Sequence, residues 1–311
     1  MLEDDLIVSP GFYNYALQAV NEYVADERIA GVSLYLCRGN ENSFFFPFCP
    51  LDNGYDAFFM QVPSSCGQVW TNEQWQRFRD YYSRRPFIPD NSLLPSNVLG
   101  WNESSSWKKH FYNYMVERDL YFVYPFMSLS SNWGDIGEHF DCIESGFRVQ
   151  LSMVNNKEYR FPHFTKKSVV YDGYLEIIPD YLKEQGFYPD CDFGVDLYGT
   201  KDLEKHSNNY FLSTKRCVNP IAQYGGEMIP LEQNVIFNNP GKVISFAKRS
   251  DFSNEIDDLV LEKIVSQYHR PAYNSGYFAG KREGEINVRK TSSYKIGRTI
   301  TTPYRILRDF L

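Results

Sequence analysis

A helical pattern followed directly by a buried-strand pattern is the feature that most constrains the fold of this chain. Ser9 and Pro10 fit the N-cap and the first position of a helix. The following residues place apolar side chains along one face of a helix of about four turns: Phe12, Ala16, Val20, Tyr23 and Val24. The run Ile29–Leu36 then predicts a buried strand. A loop, a helix and a strand in this order favour an α/β fold.

Further helices and strands are predicted up to about residue 125. A capping box at Thr71 predicts a short helix, and serines at 104–105 can cap another. The run Leu120–Tyr124 predicts a strand that ends at a proline. Residues 38–68 and 86–100 are rich in turn-forming residues and are predicted to be long loops.

A smaller α+β part is predicted after residue 165. A helix interrupted by Pro179 is expected over Tyr171–Gln185. Short strands are expected at Gly194–Tyr198, Tyr210–Ser213, Val235–Phe237 and Lys242–Ala247. We therefore expect an α/β domain at 1–165, an α+β extension at 166–250, and a helix with a basic amphipathic tail at 251–311.

Composition excludes several functional classes. The net charge of −7 argues against general nucleic-acid binding. Six cysteines without a CxxC pair favour reduced thiols in a cytoplasmic protein over a zinc site. We find no spanning apolar run, no secretory signal, and no Walker, GxSxG, HExxH or GxGxxG motif.

The basic end of the chain is a candidate contact surface. Residues 281–311 hold eight basic and three acidic side chains. Over 294–311 the basic groups alternate with apolar ones, which fits contact with an anionic membrane surface. The alternative is that this tail packs on the acidic body of the protein.

Three adjacent acids near the N-terminus, Glu3, Asp4 and Asp5, are the most specific chemical feature. Carboxylates this close repel one another, so they favour a site where a cation neutralises them. A hard cation such as Mg²⁺ or Mn²⁺, together with diphosphate oxygens, fits such a site. The alternative is a solvated and frayed terminus.

A second candidate is the polar, glycine-containing segment from Trp133 to Phe140. It fits a loop that closes over a ligand, and it holds several candidate site residues. Asp135 or Glu138 can serve as a base, and His139 as a metal or phosphate contact. The alternative is a polar surface turn.

A third candidate is the helix start flanked by Trp101 and Trp107. A tryptophan face can stack on the apolar face of a sugar ring, whereas the alternative for each is a place in the core. His110 is a candidate base if its helix face points into a cleft.

Taken together, several of these segments resemble a known family. LEDDLIVSPGFYNYAL, followed by a strand and a loop, resembles the metal-binding region of GT-A glycosyltransferases, nearest to bacterial family-two-type sugar transferases of surface polysaccharide loci. A fainter likeness runs to N-acetylglucosaminyltransferase I. Further pieces agree in order: PSSCGQVWTNEQWQRF, SSSWKKHFYNYM, DLYFVYPFMSLSSNWGDIGEHF, VDLYGTK and YKIGRTITTPYRIL.

The resemblance implies a partial GT-A, Rossmann-like mixed sheet flanked by helices, with 1–165 as its metal and acceptor half. It implies inverting transfer from a nucleotide-sugar donor to a glycan or lipid-linked acceptor, peripherally at the inner face of the membrane. Asp5 would bind Mn²⁺ or Mg²⁺, while Glu3 and Asp4 would face the ribose and sugar of the donor. The loop with Gly134 and Gly137, next to Trp133, would close over the substrates.

The chain departs from the family pattern in two places. The region that matches the base-carrying element, Trp107 to Phe111, has no carboxylate, so Glu103, Asp135 and Glu138 are the candidates for the base. The family binds its nucleotide through a half-domain before the acidic motif, and this sequence starts at that motif. We therefore expect weak or absent transfer by this polypeptide alone, and a sugar- or partner-binding remnant is the alternative function.

Overall fold

The computed structural model describes most of the first 256 residues of the chain. The ranges are 1–43, 46–84, 87–90, 92–133 and 147–256, with the single residues 284, 287, 288 and 290. The chain divides into two compact units, Met1–Val260 and Leu261–Leu311. Within the described ranges the first unit contains six α-helices and fifteen β-strands, which confirms a mixed α/β fold. The predicted domain boundaries at residues 165 and 250 stay predictions.

The helices are α1 (Phe12–Tyr23), α2 (Asn72–Ser83), α3 (Ser96–Leu99), α4 (Trp107–Arg118), α5 (Pro179–Glu184) and α6 (Glu232–Ile236). The strands are β1 (Leu6–Val8), β2 (Ile29–Ser33), β3 (Gly39–Asn40), β4 (Phe46–Pro47), β5 (Ala57–Met60), β6 (Gln68–Val69), β7 (Tyr121–Pro125), β8 (Ser130–Asn132), β9 (Val170–Tyr171), β10 (Phe193–Asp196), β11 (Tyr210–Ser213), β12 (Lys215–Cys217), β13 (Ala222–Tyr224), β14 (Ile244–Lys248) and β15 (Phe252–Ile256).

The central sheet has five strands in the order β6-β2-β7-β5-β9. Strands β2 and β7 are parallel, with Val32 opposite Val123, whereas β5 runs antiparallel to β7, with Phe58 opposite Tyr124. Strand β9 is parallel to β5 and completes the sheet at one edge. The strand predicted at Leu120–Tyr124 is thus confirmed as β7, one residue later.

Helices cover the two faces of this sheet. On one face, Tyr15 and Ala19 of α1 pack with alternate strand residues such as Phe59. On the other face, Phe78 of α2 and Phe111 of α4 join a larger hydrophobic cluster. The alternation of side chains along each strand explains how one sheet serves two cores. The result is a three-layer arrangement of helix, sheet and helices.

A second sheet, in the order β10-β11-β14-β13, extends the larger of these clusters. Strands β10 and β11 are parallel, and β14 is antiparallel to both of its neighbours. Strand β11 has the bounds that the sequence predicted, Tyr210–Ser213.

Helix starts follow local side-chain chemistry. At α2, Thr71 Oγ1 accepts from the Gln74 N–H at 3.1 Å, and Gln74 Oε1 accepts from the Thr71 N–H at 2.9 Å, which confirms the capping box. At α4 the cap is Ser106 rather than a serine at 104–105. Ser104 and Ser105 lie before the helix, in a turn where their N–H groups donate to Asn102 Oδ1.

The predicted cap of α1 was wrong. Ser9 is buried, and its hydroxyl donates to the Ser152 carbonyl at 2.6 Å while accepting from the Gly11 N–H. That tertiary contact places Ser9 before the helix, which begins at Phe12.

Other predictions were wrong where partners distant in sequence decide the conformation. The region 38–68 is not one loop, since it contains β3 to β5. Only the part of Tyr171–Gln185 that begins at Pro179 is helical, because proline fits the first turn of a helix. Val235 and Ile236 lie in α6 rather than in a strand, and residues 252–256 form β15 rather than a helix.

Candidate functional site

A cavity of about 550 Å³ lies on the α2–α4 side of the central sheet. It collects residues that follow β2 and β5, residues around α3, and the N-terminal segment. Its charged and aromatic lining side chains are Glu3, Asp5, Tyr35, Glu41, Trp101, Lys108, Tyr112, Tyr124 and Phe147. Apolar side chains such as Met60, Val98 and Leu175 complete its walls. A mainly apolar cavity with a few polar groups is the usual form of a small-molecule site.

Hydrogen bonds hold the N-terminal segment against the cavity. The Met1 ammonium group donates to the Gln68 carbonyl, and the Gln68 N–H donates to the Met1 carbonyl at 3.0 Å. Five residues later, β1 pairs with β8, with Leu6 opposite Asn132. The acidic residues between these two attachments are exposed, but their backbone is fixed at both ends.

Asp5 is positioned by the end of β8. Asn132 Nδ2 donates to Asp5 Oδ2 at 2.7 Å, and the Trp133 N–H donates to the Asp5 carbonyl at 2.7 Å. Glu3 lines the same cavity, whereas the structure places Asp4 outside the lining. Two of the three predicted acids therefore share one space.

Trp101 follows α3, and its backbone carbonyl is held by a buried lysine. Lys109 Nζ donates to the carbonyls of Leu99 and Trp101, at 2.7 and 2.9 Å. The neighbouring Lys108 lines the cavity, with Nζ 5.4 Å from the centroid of the Trp101 ring and 3.3 Å from Ser65 Oγ. The first turn of α4 thus fixes one aromatic wall and places a positive charge in the cavity.

A tight loop, Asp172–Glu176, contributes Leu175 to the wall of the cavity. Asp172 Oδ1 accepts from the N–H groups of Tyr174 and Glu176, and Lys201 Nζ forms an ion pair with the same carboxylate. Leu175, which lines the cavity, has a φ of 63°. Such a backbone conformation is costly for leucine and persists only when the surroundings impose it.

Four charged side chains of the cavity influence the pKa of Cys66. Burial raises the pKa of the Cys66 thiol to about 11, and Lys108 opposes this rise while Glu3, Glu41 and Asp5 add to it. Burial also raises the pKa of Cys37, the second thiol in the lining. Both groups are therefore neutral thiols near pH 7, and neither is an activated nucleophile.

The other predicted site residues lie elsewhere or outside the described residues. Trp107 packs into the core, 6.1 Å from the Trp70 ring, and does not line the cavity. Glu103 is half-buried and also outside the lining, and its carbonyl contacts His110 Nε2 at 3.0 Å. Trp133 is 52% exposed, and its carbonyl accepts from Arg148 Nε. Outside the described residues lie Gly134, Asp135, Gly137, Glu138 and His139.

A divalent cation bound at this site would need ligands from both the protein and a substrate. Among the described residues, no group of three or more His, Cys, Asp or Glu side chains could hold a metal by itself. Mg²⁺ commonly binds through one or two carboxylates plus substrate phosphates, and Asp5 offers such a carboxylate at the cavity. The donor set thus fits a cation that is completed by diphosphate oxygens.

Three lining residues were not predicted as site residues: Glu41, Lys108 and Tyr124. Lys108 and Tyr124 lie in segments that were predicted as a helix start and a strand, and Glu41 lies in a region that was predicted to be a loop. Tyr124 reaches the cavity because its hydroxyl crosses to the Val62 carbonyl, at 2.9 Å. This contact depends on the pairing of β5 with β7, which no local sequence pattern predicts.

No protein-family model matches this chain, and no curated protein matches it significantly. Among the described residues, no helix combines the length and apolar character needed to cross a membrane.

Proposed function

We propose that this chain takes part in glycosyl transfer as a metal-dependent, GT-A-type protein. The proposed reaction moves a sugar, with inversion, from a nucleotide-sugar donor to a glycan or lipid-linked acceptor of surface polysaccharide biosynthesis. One observation carries the proposal: Glu3 and Asp5 line the same cavity as Trp101. Metal binding was predicted for the acidic segment and sugar stacking for the tryptophan segment. Residues from both segments line this cavity.

The lining suits a sugar. Carboxylates accept hydrogen bonds from hydroxyl groups, and Glu3 and Glu41 supply them at the cavity. Trp101 and the tyrosines offer apolar ring faces for the C–H side of a pyranose. A cavity of about 550 Å³ falls within the usual range for sites that bind small molecules.

The lining also provides for a charged leaving group. Asp5 would hold Mn²⁺ or Mg²⁺ together with the diphosphate oxygens of the donor. When bound, the cation would act as a Lewis acid toward the leaving diphosphate. Lys108 places a second positive charge in the cavity, where it can pair with a phosphate oxygen.

Inverting transfer also needs a general base beside the acceptor hydroxyl. Glu41 is the new candidate, because its side chain lines the cavity and no family motif is needed to place it there. Glu103 lies outside the lining and is a weaker candidate by geometry. Asp135 and Glu138 stay predictions.

The test is calorimetric titration of the full chain with a panel of nucleoside diphosphate sugars, in Mn²⁺ and in chelator. We expect binding that depends on Mn²⁺ and that weakens by about tenfold or more in Asp5→Asn, the typical loss for one charged contact. Lys108→Met should weaken binding of these charged donors while leaving binding of a neutral sugar unchanged.

Asp4→Asn is the matched control. It makes the same change one residue away, at a side chain that does not line the cavity. Equal losses in Asp4→Asn and Asp5→Asn would contradict the proposed site. Sugar binding without any effect of nucleotide or metal would favour the alternative, a carbohydrate-binding remnant that lacks transfer activity.

A further inference from the structure

A second cleft, separate from the cavity, is lined by four arginines. Arg28, Arg77, Arg84 and Arg118 surround a space of about 550 Å³, together with Glu27, Asp80, Tyr81, Tyr114 and Leu120. We call this space, with the residues that line it, the arginine cleft. It shares no lining residue with the cavity. The chain as a whole carries a net charge of −7, so a cluster of four guanidinium groups differs in sign from the protein as a whole.

The cleft lies at the start of the two central parallel strands. Glu27 and Arg28 precede β2, and Leu120 precedes β7. Tyr35 and Cys37, which follow β2, line the cavity at the other end of that strand. The two sites therefore occupy opposite ends of β2.

Two of the arginines are fixed by contacts within the protein. Arg28 forms a two-pronged ion pair with Asp26, with N···O distances of 2.9 and 2.6 Å. Arg77 donates to the carbonyls of Glu27 and Ile29, at 3.1 and 3.4 Å. These contacts occupy donors of both side chains, and the Nε of Arg77 is buried without a partner in the described part of the chain.

The other two arginines keep donors available. Arg84 uses its Nε on the Asp80 carbonyl at 3.2 Å, and its terminal nitrogens have no partner among the described residues. Arg118 makes no hydrogen bond or ion pair within the described ranges. The nearby Glu117 is already engaged, since its carboxylate accepts from Tyr81 and Asn113.

A tyrosine adds a neutral donor to the same space. Tyr114 lines the cleft, and its hydroxyl has no hydrogen-bond partner among the described residues. Burial raises the pKa of Tyr114, and the nearby Arg77 and Arg118 oppose this rise. The hydroxyl therefore stays protonated near pH 7 and can donate beside two guanidinium groups.

Helix ends explain only part of this arrangement. Arginines near the C-terminal ends of α2 and α4 complement the partial negative charge of the last carbonyls, as the Arg84–Asp80 contact shows. That role requires neither the open space between the helices nor the unused donors that face it.

We infer that the arginine cleft binds a phosphate or diphosphate group. The planar guanidinium fork matches the oxygen geometry of phosphate, and Arg84, Arg118 and Tyr114 together can satisfy several of its oxygens. The group could belong to a free phosphorylated molecule or to a phospholipid headgroup, because both present the same chemistry.

The test uses inorganic pyrophosphate in calorimetry and vesicles with or without phosphatidylglycerol in sedimentation. We expect the wild-type chain to bind at least one of these probes. The double variant Arg84→Gln/Arg118→Gln should lose about tenfold or more in that binding, the typical loss for removing charged hydrogen bonds. Pyrophosphate binding identifies a free phosphate as the source, and vesicle binding alone identifies a lipid headgroup.

Arg79→Gln is the matched control, since Arg79 lies on α2 but does not line the cleft. Any contribution of the basic tail is the same in all variants and cancels in the comparison. The inference is overturned if neither probe binds, or if Arg79→Gln loses as much binding as the double variant. All titrations are run in chelator, because the proposed transfer site binds diphosphate through a cation; a loss in Arg84→Gln/Arg118→Gln therefore reports on the cleft and not on that site.

Discussion

Replacing Glu232 with glutamine should change how the stability of this protein depends on pH. Glu232 begins α6 and is only 5% exposed. Its side chain shares a hydrogen bond with Tyr171, whose hydroxyl also accepts from the Leu51 N–H at 2.9 Å. Burial raises the pKa of this carboxyl group from 4.5 to about 7.

The direction of the effect follows from proton binding. Because the pKa is higher in the folded state, the folded protein retains a proton that the unfolded chain releases between pH 4.5 and about 7. The stabilisation from this group is fully present below pH 4.5 and is lost as the pH rises through about 7. The shift corresponds to about 3 kcal/mol, since one pKa unit equals about 1.4 kcal/mol.

Glutamine stays neutral at every pH and can still hydrogen-bond with Tyr171. The free energy of unfolding of Glu232→Gln, relative to wild type, should therefore rise by about 3 kcal/mol between pH 4 and pH 8. Urea denaturation at several pH values measures it. His206, whose pKa burial lowers to about 4, has the opposite dependence, but it is common to both proteins and cancels.

Glu158→Gln, at an exposed position, is the control and should run parallel to wild type. Parallel curves for wild type and Glu232→Gln would refute the reasoning, because the buried carboxyl group would then have no raised pKa.

Substitutions at three further positions test the framework around the sites by urea denaturation. Lys201→Met should cost about 3 kcal/mol, because it leaves the Asp172 carboxylate without its ion-pair partner; a loss under about 0.5 kcal/mol, as for an ordinary surface change, would contradict this. Ser106→Ala should cost about 1 kcal/mol by removing the cap of α4, and Ser106→Asn should restore most of it. Gly67→Ala should cost about 1 kcal/mol or more, because Gly67 has a φ of +97° and an added Cβ would lie 2.9 Å from Ser130 Oγ; unchanged stability would show that this turn relaxes freely.

Sequence reasoning succeeded where neighbouring residues determine the structure. The capping box at Thr71 was predicted correctly, since the side chains that form it lie three residues apart. It failed for β5, because the partners that make Ala57–Met60 a central strand lie more than sixty residues later or at residues 170–171. It failed for Val235–Phe237 because a short apolar run fits a strand and a helix equally well.

The candidate site was predictable to a similar degree. The acidic triplet drew attention because three carboxylates are adjacent, and two of them do line the cavity. The sequence could not distinguish Trp101 from Trp107, since both flank the same helix start, and only packing separates cavity from core. Glu41 comes to the site through the path of the chain between β3 and β5, which has no local signature.

We propose that Asp5 holds a divalent cation together with the diphosphate of a sugar donor. Electron paramagnetic resonance of Mn²⁺ with the full chain and a nucleoside diphosphate sugar tests this, because it reports free and bound Mn²⁺ separately. We expect wild type and Asp4→Asn to bind Mn²⁺ beyond what the nucleotide binds alone, and Asp5→Asn to lose that extra binding. Equal Mn²⁺ binding by wild type and Asp5→Asn would contradict the claim.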